Sequence, residues 1–515
     1  MEEMCPSVPP AGITDNVTAA PTVEEVKANI VQAVGSLVAW VLTCQALTFF
    51  AFETQLVPRV LALGHLFIQL FLCMRAEQFQ ATHQRPQPGY KRSSPISRSL
   101  GTSFGKVRYW RTYFHRKGGG YYPLDVELGL TGDSFSMLLR SYATRLATKV
   151  SYAQAALLLS LFLHWSPAQE SIAGMVLGLG QHTTAWFESA PAPAGDGEVL
   201  VIQLDSKATP TATEAELEKR RGKRAKNLHP GSPRHRGRAA RQRRGSKKRR
   251  KKGDKAKNGK MATIVVMYTL RQSSAGTLEG PLNKKVYASY APKRHAVAIA
   301  RREANKRGFG PKSGKLIQIV TDGDNDLERY IGEYFPEAIH TIDVYHVTEY
   351  LWEAGQSLYE EGSAELVEWV EVQKERLYNG QAAEIVAEID KRLAQIDPGK
   401  QSDRERLEKV RNYIDKRVDK INYKELRKKD LEISSGAVEG AVNYVIAKRF
   451  DSGGMRWIKE RAEHLLQLRC IEVNDDWDAF VKFVHDKTRE HAQREHKNIS
   501  LRRTKPASLP TYGLT

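Results

Sequence analysis

The feature of this sequence that most constrains its fold is the alternation of short apolar runs and helical patterns across residues 198–344. Runs of four to nine apolar residues, rich in Val and Ile and bounded by Gly, Pro or Asp, are typical of buried β-strands. Five such runs are predicted strands: Glu198–Leu204, Ala262–Leu270, Lys285–Tyr290, Leu316–Val320 and Ala338–Val344.

Helical patterns separate the later strands of this segment. Helices are predicted at Pro292–Arg307 and Leu327–Tyr334, and Tyr345 begins a longer one. The order is therefore βββαβαβ, followed by a charged helical segment and a last helix that begins near Ser434 and Ser435. This is the order of the ribonuclease H-like fold. We predict an α+β multidomain protein, in which a helical N-terminal region precedes this catalytic domain and a helical insertion precedes its last helix.

The positive charge of the chain is confined to one segment. The whole sequence has 79 Lys and Arg against 59 Asp and Glu, and residues 219–260 hold 21 of the bases and a single acid, Asp254. The rest of the chain therefore carries 58 residues of each sign and is neutral. Such a segment predicts a disordered insert that contacts a polyanion, most simply nucleic acid.

Composition and periodicity extend these predictions to the whole chain. We expect a disordered tail at 1–22, N-terminal helices at 23–83, a small β-rich basic unit at 84–125, and a helical unit at 126–190. The catalytic core is predicted at 198–355 with the insert at 219–260, a helical insertion at 356–430, the last core helices at 431–493, and a basic tail at 494–515.

Two of these units are candidates for contacting DNA. In 126–190, Ser151 is a predicted N-cap, and Ser166 with Pro167 fits an N-cap and first helical residue. The two helices form a possible helix-turn-helix. The second is poor in Arg and Lys, so an ordinary helical hairpin remains open. In 84–125, Arg and Lys beside aromatic residues fit either DNA contact or a small core with a solvated rim.

The N-terminal helices raise the question of a membrane. Ile30–Phe52 contains 23 residues without a charge, a length that spans a bilayer. Polar residues such as Gln32 and Gln45 interrupt it, so we expect buried helices packed on each other and no membrane partner. Four scattered cysteines and no basic-then-apolar leader predict a cytoplasmic protein without a disulfide framework.

Three acids are positioned to form a site. Asp205 follows the first strand, Asp322 follows the fourth, which should lie beside the first, and Glu439 lies on the last helix. Converging carboxylates repel each other unless a divalent cation neutralises them. Two Mg²⁺ or Mn²⁺ ions about 4 Å apart suit phosphodiester chemistry. Each acid alone fits an ordinary turn or a solvated helix position equally well.

Other residues near these acids compete for a role. Asp324, Asp326 and Asp343 are alternatives to Asp322 as the second ligand. Asp343 and His346 are three residues apart, which favours an Asp–His hydrogen bond that shapes the site, although a metal pair is also open.

Two stretches resemble a known family. VTDGDNDLERYIGEYFPEAIHTIDVYHVTEYLWEAG and SSGAVEGAVNYVIAKRFDSGGMRWIKERAEHLLQLR are similar to bacterial insertion-sequence DDE transposases, nearest the ISKra type, which are related to Mutator-like transposases. The resemblance runs from about Phe104 to Arg469. It implies Asp205, Asp322 and Glu439 as the metal-binding triad, DNA strand cleavage at element ends and strand transfer, and double-stranded DNA with terminal inverted repeats as partner.

The resemblance also leaves departures and alternatives. Relatives often carry a Cys-based finger near YFHRKGGGYYPLD, where this chain has no Cys, and the basic insert is unusual. A transposase of this kind is expected to be a bacterial, nucleoid-associated homo-oligomer on DNA; a catalytically inactive DNA-binding descendant and an RNA-binding protein are the rivals. The candidate DNA-binding residues are Lys247, Lys248, Arg249, Arg250, Lys251, Lys252, Arg456, Trp457 and Arg461. For Trp457, burial against the next helix is an equal alternative.

Overall fold

The computed structural model describes residues 20–44, 48–82, 89–117, 119–130, 132–212, 259–397, 399–451 and 457–495. The chain divides into two compact units. The first holds the residues up to His182 and those from Trp477 onward, and the second holds Thr183–Asp476. The predicted mixture of a helical N-terminal region with sheets is confirmed.

The first unit begins with a hairpin of two long helices, α1 (Val23–Thr43) and α2 (Phe49–Thr82). Thr22 caps α1 by accepting from the Glu25 N–H, and Glu25 returns a carboxylate to the Thr22 N–H. The helices run antiparallel, because the Val23 N–H donates to Glu77 Oε1 near the C-terminal end of α2 (2.9 Å). At the other end of the hairpin, Trp40 stacks on Phe52 with ring centroids 5.2 Å apart.

Burial of these two helices differs from the prediction. Only a short stretch of each is buried, namely Val23, Val26 and Ile30 in α1 and Leu72, Cys73, Ala76 and Phe79 in α2. The expectation that both are buried helices is therefore wrong for most of their length, because α1 and α2 cover only one stripe of each other. Both helices have the length and apolar composition that a membrane span requires.

Small strands follow the hairpin in the first unit. They are β1 (Lys91–Arg92), β2 (Ile96–Thr102), β3 (Gly105–Arg111), β4 (Phe114–Arg116) and β5 (Gly119–Tyr121). β2 and β3 form one antiparallel pair, and β4 pairs antiparallel with both β1 and β5. Asp125, in helix α3 (Pro123–Leu128), is 6% exposed and holds the guanidinium groups of Arg98 and Arg111. Part of the basic character of this region is thus neutralised internally.

The helices at 126–190 agree with the prediction in part. α4 (Met137–Lys149), α5 (Tyr152–Leu163) and α6 (Gln169–Gly180) follow in order, and Ser151 caps α5 in a capping box with Gln154. The predicted cap at Ser166 and Pro167 is wrong. α6 begins at Gln169 with Ala168 as N-cap, and the Ser166 hydroxyl instead donates to the Pro167 carbonyl (2.9 Å).

The second unit is built on one five-stranded sheet. Its strands are β6 (Val199–Pro210), β7 (Gly259–Gln272), β8 (Leu278–Ser289), β9 (Leu316–Thr321) and β10 (Ile339–Ile342). Their order across the sheet is β10-β9-β6-β7-β8. β6–β7 and β7–β8 are antiparallel, whereas β6–β9 and β9–β10 are parallel. The predicted order βββαβαβ is confirmed, and β7 begins at Gly259, inside the predicted insert.

Helices surround this sheet. The unit begins with α7 (Thr183–Ser189), and α8 (Lys293–Lys306) and α9 (Asn325–Tyr334) pack their apolar faces on the sheet. After α10 (Val344–Gly355), the helical insertion holds α11 (Ala364–Tyr378), α12 (Ala382–Gln395), α13 (Gln401–Asp415), a 3₁₀ turn (Val418–Lys420) and α14 (Tyr423–Lys428). The chain returns through α15 (Gly436–Ala441), a π-helix (Val442–Asp451) and α16 (Lys459–Val473).

One predicted boundary of the catalytic core differs from the structure. The helix α17 (Trp477–Glu495), expected among the last core helices, belongs to the first unit. There the Trp477 indole N–H donates to the Ser141 hydroxyl at 2.9 Å.

Candidate active site

Three acids lie level with each other at one edge of the sheet. The last paired residues of the parallel strands are Gln203 with Val320 and Ile342 with Thr321. Continuing this register places Asp205, Asp322 and Asp343 side by side, since parallel strands end at a common edge. The strand pattern of the sequence predicted this for Asp205 and Asp322.

Asp205 does not end its strand as predicted. β6 continues to Pro210, because Asp205 and the residues after it remain paired with β7, Asp205 opposite Ile264. What ends near Asp205 is the parallel neighbour, β9. The carboxylate therefore lies where the sheet loses one strand and leaves room beside it.

The electrostatic environment of Asp205 links it to the other predicted acids. Burial raises the pKa of its carboxyl group, and the carboxylates of Asp322 and Glu439 raise that pKa further. The Ser206 N–H, which donates to Asp205 Oδ1 at 2.5 Å, and the nearby His346 act in the opposite direction. The triad predicted from the sequence is thus brought within electrostatic range at one place.

The loop that carries Asp322 is held by the helical insertion. The Tyr413 hydroxyl on α13 donates to the Asp322 carbonyl at 2.9 Å. Gly323 has φ +83°, and a Cβ there would lie 2.5 Å from the Tyr413 hydroxyl oxygen. Burial raises the pKa of Tyr413, so its phenol remains a donor at neutral pH. A glycine is needed after Asp322 for this close approach.

Glu439 is positioned through two side chains, Gln203 and Ser435, for which the sequence predicted no such role. Gln203 on β6 accepts from the Val438 N–H (2.9 Å) and donates to the Ser434 carbonyl (3.2 Å), which anchors the start of α15. The Ser435 hydroxyl lies 3.2 Å from Glu439 Oε1 and 2.7 Å from Asp343 Oδ2. Their only signal in the sequence is their closeness to Asp205 and Glu439.

Asp343 is buried, and hydrogen bonds within the protein engage its carboxylate. Its carboxylate is 2% exposed and accepts from the Ser435 hydroxyl and from the Tyr345 N–H (3.1 Å), so it caps α10. The other competitors for the second position are also engaged. Asp324 caps α9 and pairs with Lys293, and Asp326 pairs with Arg329 (3.1 Å). Among the four acids, Asp322 is the one whose carboxylate raises the pKa of Asp205.

The predicted hydrogen bond between Asp343 and His346 is wrong. Asp343 bonds to Ser435 and Tyr345, whereas His346 Nδ1 lies 3.5 Å from Glu349 Oε2. The imidazole of His346 packs instead against aromatic rings, with centroids 5.5 Å from Tyr350 and 6.5 Å from Tyr413. His346 lies near enough to Asp205 to lower the pKa of that carboxyl group.

The acids fit a hard divalent cation by donor type. Mg²⁺ and Mn²⁺ prefer carboxylate oxygens. Burial is the main cause of the raised pKa of Asp205, and the carboxylates of Asp322 and Glu439 add a repulsion that a cation would relieve. Across the ranges that the structure describes, however, no group of three or more His, Cys, Asp or Glu side chains lies close enough to hold a metal ion. Coordination by all three acids therefore requires a closer approach of their carboxylates.

The candidate DNA-binding residues divide into three groups. Lys247 to Lys252 and Arg456 lie outside the described residues. Trp457 is 8% exposed, with its ring centroid 5.1 Å from that of Phe450 and its backbone hydrogen-bonded to Pro210 and Ala212. Trp457 is therefore buried, as the alternative expected, but the contacts shown are with the preceding π-helix and the end of β6, whereas the alternative named the next helix. Arg461 has an exposed side chain on α16.

Comparison with known proteins does not assign the chain to a family. No protein-family model and no curated protein match the chain. A solved structure described as the "Drosophila P element transposase strand transfer complex" is 10% identical over 73% of this chain and 87% of that chain, with a TM-score of 0.21. A TM-score of 0.21 is too low to establish a shared fold.

Proposed function

We propose that the second unit is the catalytic domain of an insertion-sequence DDE transposase of the ISKra type, which cleaves DNA strands at element ends and transfers them to target DNA. The observation that carries the proposal is the electrostatic coupling of Asp205 to both Asp322 and Glu439 at one sheet edge. The order of the five strands, with two parallel and two antiparallel neighbours, is that of a ribonuclease H-like sheet.

Asp205, Asp322 and Glu439 are the residues that would hold Mg²⁺ or Mn²⁺, two ions in this proposal. Such ions, if bound there, would activate the attacking oxygen and stabilise the leaving oxygen of a phosphodiester. The chain supplies the positions of its ligands. Gln203 and Ser435 hold the helix of Glu439, and Tyr413 holds the loop of Asp322.

The partner in this proposal is double-stranded DNA, at the terminal inverted repeats and at the target. The basic segment 219–260 supplies the whole net positive charge of the chain. In the sequence it follows β6, which bears Asp205 and ends at Pro210, and it runs into the start of β7. Its contribution to binding is nonspecific and falls steeply with salt. The proposed setting is the bacterial cytoplasm, on the nucleoid, with the protein as a homo-oligomer on DNA.

A second candidate is a catalytically inactive, transposase-derived DNA-binding protein. It is favoured by one observation, namely that no three described acids or other ligating side chains lie within metal-binding distance of each other. The two candidates differ in cleavage, not in DNA binding.

The test is incubation of the purified full chain with duplex DNA that carries the flanking genomic ends, with Mg²⁺ or Mn²⁺ and with EDTA. We expect nicks at the element ends that require the cation. Asp205→Asn should lose cleavage and keep DNA binding, while Asp326→Asn, in an exposed acid paired with Arg329, should keep both. Binding without cation-dependent nicking by the wild type would support the inactive candidate, and wild-type nicking by Asp205→Asn would refute the triad.

A further inference from the structure

The hairpin of α1 and α2 carries an apolar face that the rest of the described chain leaves exposed. In α1 the residues that face α2 follow a heptad spacing, Val23, Val26, Ile30, Ala33, Leu37 and Trp40. A second stripe follows the same spacing one residue later. Its members are Val31, Val34, Val38 and Val41, whose exposed fractions range from 41 to 70%.

Helix α2 repeats the pattern. Leu63, Leu66, Leu70 and Cys73 lie on the stripe against α1, and a second stripe is displaced from this heptad pattern by one residue. Its exposed members include Val57, Val60, Phe67 and Phe71, which are 41 to 51% exposed. Two members are partly buried: Gly64 is contacted by Phe104, and Met74 packs on the core of the hairpin.

The two exposed stripes lie on the same side of the hairpin. One residue corresponds to a rotation of 100° about a helix axis, and antiparallel helices turn in opposite senses when viewed from one end. Stripes displaced by one residue from the shared seam in both helices therefore point the same way. A helix with two apolar seams at heptad spacing is typical of a bundle with more than two helices.

The exposed area is large enough for a stable protein interface. Phe50, on the stripe of α2, is 78% exposed, so with Phe67 and Phe71 the three rings expose roughly 350 Å². The exposed aliphatic residues bring this face to roughly 800 Å². A standard interface buries about 800 Å² per partner, and the largest apolar patch of a monomer is about 300–600 Å².

A second protein surface suits this face better than a bilayer. Glu53 lies on the exposed stripe of α2 between Phe50 and Val57, and its side chain is itself exposed. A carboxylate is costly in hydrocarbon, whereas at a protein interface it can stay solvated at the rim. The rest of the face, from Val31 to Phe71, is apolar apart from this acid, so it complements a second copy of itself without like-charge repulsion across its centre.

We propose that two copies of this chain associate through the face formed by Val31, Val34, Val38 and Val41 of α1 and Val57, Val60, Phe67 and Phe71 of α2. The hairpins then form a four-helix bundle around a two-fold axis, in which each exposed stripe packs into the partner hairpin. The interface is isologous and closes on itself, so the assembly stops at two copies. Neither DNA nor the proposed catalytic site is needed for it.

The test is the mass of the purified full chain in solution, measured by light scattering in high salt and without DNA so that the basic segment cannot bridge copies. We expect twice the chain mass of 58.0 kDa for the wild type. Val34→Glu with Val38→Glu should give a single chain mass. The matched control, Gln32→Glu with Ser36→Glu, adds the same charge to exposed positions of α1 outside the stripe and should keep the doubled mass.

Three outcomes would overturn the proposal. They are a wild type with a single chain mass at all concentrations, a stripe variant that keeps the doubled mass, and a wild type that floats with neutral phosphatidylcholine vesicles, which would favour a membrane. Helical circular dichroism monitors folding of each variant. If the double Glu variant unfolds, Val34→Ser with Val38→Ser should raise the dissociation constant of the dimer at least tenfold while the helical signal stays unchanged.

Discussion

At the scale of single residues, the position of Glu439 depends on one hydroxyl group. Ser435 lies within hydrogen-bonding distance of both Asp343 (2.7 Å) and Glu439 (3.2 Å). Asp343 is buried and caps α10, and it accepts the single hydroxyl proton of Ser435. This bond fixes the start of the short helix that bears the exposed Glu439. The sequence could not show this role, because Asp343 and Ser435 are 92 residues apart and serines before helices are usually caps.

Ser435→Ala should lower the rate of strand cleavage about tenfold and raise the Mg²⁺ concentration needed for half-maximal rate. One hydrogen bond to a charged group contributes about 1.5–3 kcal/mol, and 1.4 kcal/mol is a factor of ten. Ser435→Thr retains the hydroxyl and should recover most of the rate at the original Mg²⁺ concentration. Equal rates and equal Mg²⁺ dependence for serine and alanine would contradict the positioning role.

His340 should make the stability of the second unit depend on pH. Its side chain on β10 bonds to the Thr321 hydroxyl (2.9 Å), and burial lowers its pKa from 6.5 to about 4. In the unfolded chain His340 therefore binds a proton below about pH 6.5, whereas in the folded chain it binds one only below about pH 4. The free energy of unfolding should fall by roughly 2–3 kcal/mol as pH decreases through this window, on account of His340 alone.

His340→Gln removes the titrating group while keeping a hydrogen-bonding side chain. Between pH 7 and pH 4.5 the free energy of unfolding, measured by urea denaturation, should therefore fall less for the variant than for the wild type. A difference between wild type and variant that stays constant over this range would mean that folding does not lower the pKa of His340.

At the scale of elements, the helical insertion supports the acidic edge of the sheet. Tyr413 bonds to the Asp322 carbonyl (2.9 Å), and Arg417, which is 3% exposed, donates to the Gly323 carbonyl (2.8 Å). The helical insertion predicted at 356–430 consists of helices. Its contact with the loop of Asp322 could not be predicted, because helical periodicity does not say which loop a helix contacts.

Gly323→Ala tests this support. The change places a Cβ 2.5 Å from the Tyr413 hydroxyl oxygen and also strains a residue at φ +83°. Gly362→Ala is the matched control, since Gly362 has the same φ of +83° and nothing within 4 Å of the added atom. Both should lose about 1–2 kcal/mol from the left-handed backbone conformation.

The two alanine variants should differ in stability and in cleavage. Gly323→Ala should lose about 1–3 kcal/mol more than Gly362→Ala in urea unfolding, and it alone should lose cleavage activity, because Asp322 must move with the loop. Equal losses of stability for both variants, with cleavage retained, would show that α13 does not hold this loop.

At the scale of the whole molecule, the order of strands was predictable and the surroundings of the elements were not. Apolar runs such as Glu198–Leu204 report burial on both faces, which is a local property of the chain. The exposure of the α1 and α2 hairpin depends instead on what packs against it. An uncharged apolar run has the same composition whether it lies in a protein core, in a membrane or at an interface. The same limit applied to Trp457, whose burial arises from contacts with Phe450 and Pro210.

The three acids of the proposed site could be selected from the sequence, whereas the residues that support them could not. Asp205, Asp322 and Glu439 could be chosen because strand ends and helix starts are visible in the sequence. Gln203, Ser435 and Tyr413 could not, since each acts across the fold on a backbone or side-chain atom remote in sequence. These are the residues that would set how closely the three carboxylates approach a cation.

The central claim is that Asp205, Asp322 and Glu439 serve one site, and the most direct measurement is the rate of Mg²⁺-dependent strand cleavage in all combinations of their amide variants. Asp205→Asn, Asp322→Asn and Glu439→Gln should each reduce the rate by at least about 10³-fold, and the triple variant should be no slower than the slowest single one, because residues that act as a unit are not additive. Losses that multiply from one variant to the next, or a single variant that cleaves at the wild-type rate, would contradict a shared site.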